Sequence, residues 1–436
     1  RNYSLQNASG DWILYLDADE RLNNNSVQEL KRITAESCKK AYWCNVISLD
    51  EINKHPSVMS YARLFPNNKK VKFTGTIHEQ IEPSLIENGF SIEKSSIEII
   101  HLGYSVSEEE IKKKAERNLE LLLNEFQASG SGYYAFQLGQ TLGILKRNEE
   151  AAAYFEAALN DNSLKREYKA VAYRYLAISY AERKEFLKSL ELIEKSIAED
   201  DEQPLSLMAA AKIFLRFKMY DKAADAALRS YEANKKYLNK KQLSAQNILM
   251  DEKELSYHGL EIAILVMDKK LFNFFYEKIT NAGEKENTEA GVFNNLYNNI
   301  KIDETKISPF IDEMNERYLE PLLVLLEKYN HLDCRFSILK GLAVRFIKNP
   351  YIHLELGKLY LTTGNLNLAQ QELERTVELK PEEPSFYFYL ISVYMQNSNL
   401  KKLFSTLDTL EKRFSSYPEV KSKVDILKQK LVSHLS

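Results

Sequence analysis

The chain has 436 residues, 44% of them apolar and 28% charged, and its formal net charge is -3. That length supports two or three domains with a sizeable core, while the charge balance offers no footprint for nucleic acid or an anionic membrane. The three cysteines, Cys38, Cys44 and Cys334, lack ligand-like spacing and read as buried thiols in a reducing, cytoplasmic setting, not as a disulfide framework or a zinc site.

No 18-residue apolar run is present, so no transmembrane segment is expected, and there is no signal peptide. The chain opens on Arg1, with only a short polar stretch before the first strand, so an N-terminal portion is expected to be missing. Strands are predicted at Trp12–Asp17, Ala41–Leu49, Tyr61–Phe65, Val71–Phe73 and Ser96–His101, each rich in aromatic or β-branched residues. Between the first two, Ser26 is a plausible N-cap, and Val27, Leu30, Ile33 and Thr34 share one helical face. Near residue 105 the pattern becomes helical. Ser107 and Glu110 form a capping box ahead of "IKKKAERNLELLLNEF", which reads as a linker helix over 106–130.

From about residue 131 the chain repeats. Leu138, Gly139, Leu142, Ala151, Phe155 and Ala158 fall at positions 7, 8, 11, 20, 24 and 27 of a 34-residue unit, the tetratricopeptide spacing. Leu176, Ala177, Tyr180, Ser189 and Ser196 follow, then Ala210, Ala211, Phe214, Ala223 and Ala227. Leu356, Gly357, Tyr360, Ala369 and Pro381 restate the unit near the C-terminus, and Leu390, Tyr394 and Leu407 repeat its large positions. Repeats are therefore expected over 131–235 and 346–436, the second set closed by a capping helix, with degenerate helical units over 236–345. Such arrays stack into a solenoid whose concave surface serves protein or peptide contacts. The many tyrosines and phenylalanines fall largely at repeat packing positions and read as core.

The stretch "DWILYLDADERLNNN", residues 11–25, places Asp17, Asp19 and Glu20 at the exit of an apolar strand. In open α/β sheets ligands collect beyond the carboxyl ends of strands. Paired carboxylates there suit Mg²⁺ or Mn²⁺, completed by water and substrate phosphates. The alternative is a solvated turn with an Asp capping the next helix.

"RNYSLQNASGDWILYLDADE" resembles the segment through the D-x-D motif of family 2 glycosyltransferases with the GT-A fold, on Arg1, Asn2, Ala8, Gly10, Asp11, Trp12, Asp17, Asp19 and Glu20. "YARLFPNNKKVKFTGTIHEQI" resembles the R-x-F and G-x-x-H-E segment of members that carry tetratricopeptide repeats, on Arg63, Phe65, Gly75, His78 and Glu79. "EIIHLGYS" and "KKKAERNLELL" resemble that subgroup's closing strand and linker, on His101, Gly103, Tyr104, Lys114, Arg117 and Asn118. The resemblance covers only the second half of such a catalytic domain. It implies a partial GT-A α/β part over 1–105, followed by an all-α tetratricopeptide solenoid. Bacterial members include enzymes that glycosylate a cysteine of peptide antibiotics.

The resemblance implies an inverting, metal-dependent transfer from a nucleotide sugar, a UDP-sugar first among them, to a peptide, protein or glycan acceptor. Asp19 is then a metal ligand, Asp17 a second ligand or ribose contact, and His101 a third ligand. Glu79 is the expected base, with His78 as a positioning donor and Glu20 as a competing base or a helix-dipole partner. Arg1 and Arg63 are expected near nucleotide phosphates. The repeats would recruit the acceptor or pair two copies of the chain. Two other readings stand beside this one: a non-catalytic repeat scaffold with a remnant transferase domain, and a nucleotidyltransferase using the same acid pair.

Overall fold

The computed structural model describes residues 1–35, 39–48, 57–75, 79–102, 108–239, 247–248, 250–282 and 289–435. It divides into two compact units, Arg1–Ala282 and Gly283–Ser436. A small mixed sheet in the first hundred residues is followed by helices arranged as a tetratricopeptide solenoid.

The chain enters through α1 (Asn2–Asn7) and β1 (Trp12–Leu14). β2 (Glu20–Leu22), α2 (Val27–Thr34), β3 (Lys40–Ser48) and β4 (Ser57–Pro66) come next, then α3 (Glu82–Glu87) and β5 (Ser91–His101). The strand order is β1-β4-β3-β5-β2. β3 and β5 are parallel, and the pairs β1–β4, β4–β3 and β5–β2 are antiparallel. β1, β3 and β5 therefore all run the same way, and their carboxyl ends share one edge. One face of the sheet buries Tyr42, Cys44, Leu64, Ile97 and Ile99 with Ile33 of α2. The other core gathers Leu5, Ala41, Phe65, Phe73 and Leu85.

The expected strand over Val71–Phe73 does not form. Val71 and Phe73 are buried, but the Phe73 amide donates to the Asn2 side chain and the Lys72 amide to Ser84. Side chains of α1 and α3 thus satisfy donors that a ladder would otherwise have used. The first predicted strand stops at Leu14, and β4 and β5 begin earlier than their apolar runs. Ser26 opens α2 without capping it, because its hydroxyl accepts the Glu98 amide instead. Ser107 lies outside the described residues.

α4 (Glu108–Ser129) leads into antiparallel pairs: α5 (Gly132–Ile144) with α6 (Asn148–Leu159), α7 (Arg166–Glu182) with α8 (Phe186–Glu199), and α9 (Pro204–Arg216) with α10 (Tyr220–Asn239). Small residues let each pair close. A Cβ on Gly139 would sit 2.8 Å from the Phe155 ring. Where serine takes a small position, its hydroxyl is satisfied across the pair, Ser189 on the Ala177 carbonyl and Ser196 on that of Ala170, both at 2.7 Å.

A fourth pair, α11 (Glu252–Leu265) and α12 (Lys269–Asn281), lies where only degenerate units were expected. Gly259 faces Phe275 there, with 2.2 Å to a built Cβ, the same sixteen-residue spacing as Gly139 and Phe155. Gly259 follows Ala211 by 48 residues where one repeat takes 34. The insertion carries β6 (Asn247–Ile248), which pairs antiparallel with Ser57 and Val58 of β4. The repeats thereby extend the sheet edge. Asn234 secures the return by hydrogen bonds to both the amide and the carbonyl of Met250, each 2.9 Å.

The second unit contains α13 (Glu289–Tyr297), α14 (Glu304–Glu313), α15 (Leu319–Lys328) and α16 (Leu332–Arg345). The pairs α17 (Pro350–Thr362) with α18 (Leu366–Leu379) and α19 (Pro384–Gln396) with α20 (Leu400–Arg413) follow, and α21 (Pro418–Leu435) closes it. No described helix is long and apolar enough to cross a membrane.

Candidate active site

The three acids after β1 separate into different roles. Asp17 and Glu20 close a tight turn. The Asp17 amide donates to Glu20 Oε2 at 2.8 Å, and the Glu20 amide donates to the Asp17 carbonyl at 3.0 Å. Glu20 is 4% exposed and receives Arg63 Nη2 at 2.8 Å. Arg63, 5% exposed, stacks 4.2 Å from the Tyr15 ring. It is the extra residue of a β-bulge, because the β3 register steps from Tyr42 opposite Leu64 to Trp43 opposite Ala62. A bulge re-aims the side chain it carries. Arg63 Nε and Nη1 are buried with no hydrogen-bond partner, so part of the guanidinium is left unsatisfied beside the acids.

Asp19 turns the other way. Its carbonyl accepts the Leu102 amide just past β5, and its carboxylate lies 3.0 Å from His101 Nε2. The antiparallel pairing of β2 with β5, which sets Glu20 opposite His101, brings these two groups together across 82 positions of sequence. Asp17 is held apart from them by Arg1, whose Nη2 lies 3.0 and 3.2 Å from its two oxygens. Arg1 also reaches Glu79 at 3.3 Å, so one guanidinium bridges Asp17 and the H-E segment. Glu79 is carried by a short two-way bridge between Thr74 and Gln80.

Arg1, Asp17, Glu20, Arg63, Glu79 and His101 all line one cavity of about 510 Å³, within the usual range for small-molecule sites. Asp19 meets it through His101. His78 lies outside the described residues. As for a cation, no group of three or more His, Cys, Asp or Glu side chains converges among the described residues. Asp19 and His101 supply a two-sided oxygen and nitrogen pair, which fits a divalent ion that draws its remaining ligands from phosphate and water.

Another part of the cavity lining is helical. It is formed by Tyr133, Gln137 and Gln140 of α5 and Tyr168 of α7, with Lys165 and Glu167 beside them. Trp43 on β3 donates to Glu82 at 2.8 Å, and Lys165 reaches the same carboxylate at 3.2 Å, tying sheet to repeats. None of these residues was picked out from the sequence. The available signal was the stripe of Tyr133, Gln137 and Gln140 at i, i+4 and i+7, which looks the same on any solvated repeat groove.

A tetratricopeptide repeat family model matches residues 354–402. The helical part is a tetratricopeptide array. Over the N-terminal region the chain is similar to two catalogued glycosyltransferases. The SPbeta prophage-derived glycosyltransferase SunS of Bacillus subtilis (strain 168) is 26% identical over 163 residues, which is 37% of this chain and 38% of that protein. Glycosyltransferase SunS of Bacillus phage SPbeta matches at the same identity and coverage. The chain thus aligns with under two fifths of the length of these relatives. Among solved structures, a tetratricopeptide repeat protein from Parabacteroides merdae is 12% identical, with a TM-score of 0.44, covering 68% of this chain and 98% of that one. The pilF protein of Pseudomonas aeruginosa is 13% identical with a TM-score of 0.29, covering 67% and 95%.

Proposed function

We propose that the cavity is the reaction site of an inverting glycosyltransferase of the GT-A, family 2 kind, which moves a sugar from a nucleotide sugar to an acceptor. The observation that carries this reading is the convergence of Arg1, Asp17, Glu79 and Arg63 on one cavity, with the Asp19–His101 pair at its edge. The partial similarity to SunS supports the same reaction class.

In this reading the acceptor oxygen or sulfur attacks the anomeric carbon as the bond from that carbon to the phosphate oxygen breaks. The nucleoside diphosphate leaves with the bonding electrons, and the acceptor proton passes to Glu79. Arg1 holds Glu79 and offers charge to the leaving diphosphate. Arg63 keeps the Asp17–Glu20 turn in shape. Asp19 and His101 are the residues that would hold Mn²⁺ or Mg²⁺. When bound, such an ion neutralises charge developing on the diphosphate.

The test is release of nucleoside diphosphate from a panel of nucleotide sugars by the full-length protein, with and without Mn²⁺. Release from one donor that falls by at least about a hundredfold in Asp19→Asn is the expected result. No release from any donor, with cell extract supplying acceptors, would overturn the reading and leave a repeat scaffold carrying a relic site.

A further inference from the structure

We propose that the helical wall of this cavity is a saccharide subsite, so that the first two repeats themselves grip a sugar acceptor. This deepens the transferase reading and rests on it for the word acceptor, while the binding claim stands on the wall alone.

The groups on that wall are neutral phenols and carboxamides, with the charged Lys165 and Glu167 beside them. Tyr133 and Tyr168 lie with ring centroids 5.8 Å apart, and burial raises both phenols above their ordinary range, so they are neutral at working pH. The amides of Gln80 and Gln137 flank the Tyr133 hydroxyl. Gln140, one turn along the same face and half-buried, makes no side-chain hydrogen bond among the described residues. The nearby cation Lys165 is engaged by Glu82.

A phosphate would call for unpaired charge, and an apolar peptide would leave the half-buried Gln140 amide without a partner. A sugar ring satisfies both halves of the wall. Its C–H face packs on the part-exposed Tyr133 ring, which the buried Tyr168 backs, and its hydroxyls both donate to and accept from carboxamides and phenols. Glu79, the group expected to deprotonate the acceptor, lines the same cavity as Tyr133 and Gln80.

Saturation-transfer NMR on the full-length protein without nucleotide, against a panel of neutral mono- and disaccharides, tests the subsite. At least one saccharide should show transfer to its ring protons. Its Kd should rise about tenfold or more in the Gln137→Ala/Gln140→Ala double variant, the loss expected from one or two hydrogen bonds. Both substitutions favour helix, and circular dichroism checks that the repeats remain folded. No binding by any saccharide, or binding unaltered in the double variant, would overturn the proposal. Nucleotide-sugar turnover without saccharide binding would sink the subsite and spare the transferase reading. Saccharide binding without turnover on any donor would do the reverse.

Discussion

Glu20 shows how one buried side chain organises its surroundings. It is the internal counter-ion of Arg63 and closes the Asp17 turn. Glu20→Ala would strand a buried guanidinium that already has two unpartnered nitrogens, and is expected to cost about 3–5 kcal/mol in denaturant unfolding. Replacing both members with apolar residues of similar volume, Glu20→Leu with Arg63→Met, should cost less than Glu20→Ala alone. In the second unit, His353 gives a pH signature. Its Nδ1 lies 2.7 Å from Glu372 and its Nε2 3.0 Å from the Ile347 carbonyl, so only the imidazolium can donate to both. The Glu372 hydrogen bond is the largest influence and raises the pKa above 6.5, against burial and the nearby Arg375. A raised folded value means that this stabilisation is fully present below about pH 6.5 and is lost as pH climbs through the higher value. The second unit should therefore unfold at lower temperature as pH rises across that window, and His353→Gln should flatten the dependence.

At the scale of elements, helix-pair closure depends on what faces each small residue. Gly259→Ala would place a methyl 2.2 Å from the Phe275 ring. Overpacking of about 1–3 kcal/mol then outweighs the roughly 1 kcal/mol gained in helix propensity, so the variant should unfold at lower temperature. The turns within the repeats make the opposite prediction. Lys146, Lys184, Lys218 and Ser398 all have positive φ, at the place where Gly364 sits in its own repeat. Lys184→Gly removes a strained left-handed residue and should stabilise by about 1 kcal/mol, read from the denaturation midpoint. The repeat phase was readable wherever it ran unbroken. The fourth pair escaped because an insertion shifted Gly259 out of step, and nothing in a strand of two residues announces that it will pair with β4. Val71–Phe73 was misassigned for a related reason: buried apolar residues with β propensity form a strand only if a neighbouring strand accepts them.

For the first unit as a whole, sheet and repeats fold as one body. Ile47 of β3 packs with Leu207 and Ala233 of the repeats, β6 covers part of the β4 edge, and Lys165 meets Glu82. Residues 1–105 expressed alone should therefore give poorly dispersed amide NMR spectra, whereas residues 1–282 should give well-dispersed ones. A dispersed, cooperatively unfolding 1–105 fragment would contradict this. The same dependence explains why half of the cavity could not be found by inspection. Tyr133 and Tyr168 belong to helices whose local pattern records only how they pack on each other, and their cavity faces mean something only once the sheet is placed beside them.

What the amino-acid order settled by itself is what short-range physics can encode. The 34-residue periodicity and its small-against-large positions specify paired helices, and the apolar run ending in acids marks a strand exit with ionisable groups. Tertiary structure decided what depends on distant partners. Asp19 meets His101 because β2 pairs antiparallel with β5 and sets Glu20 opposite His101. Glu20 became a buried counter-ion because a bulge turned Arg63 toward it. The cavity gained its aromatic and amide wall because an inserted strand and a few apolar contacts hold the repeats against the sheet. Local propensity extends over one or two turns of chain, and each of these outcomes joins groups tens of residues apart.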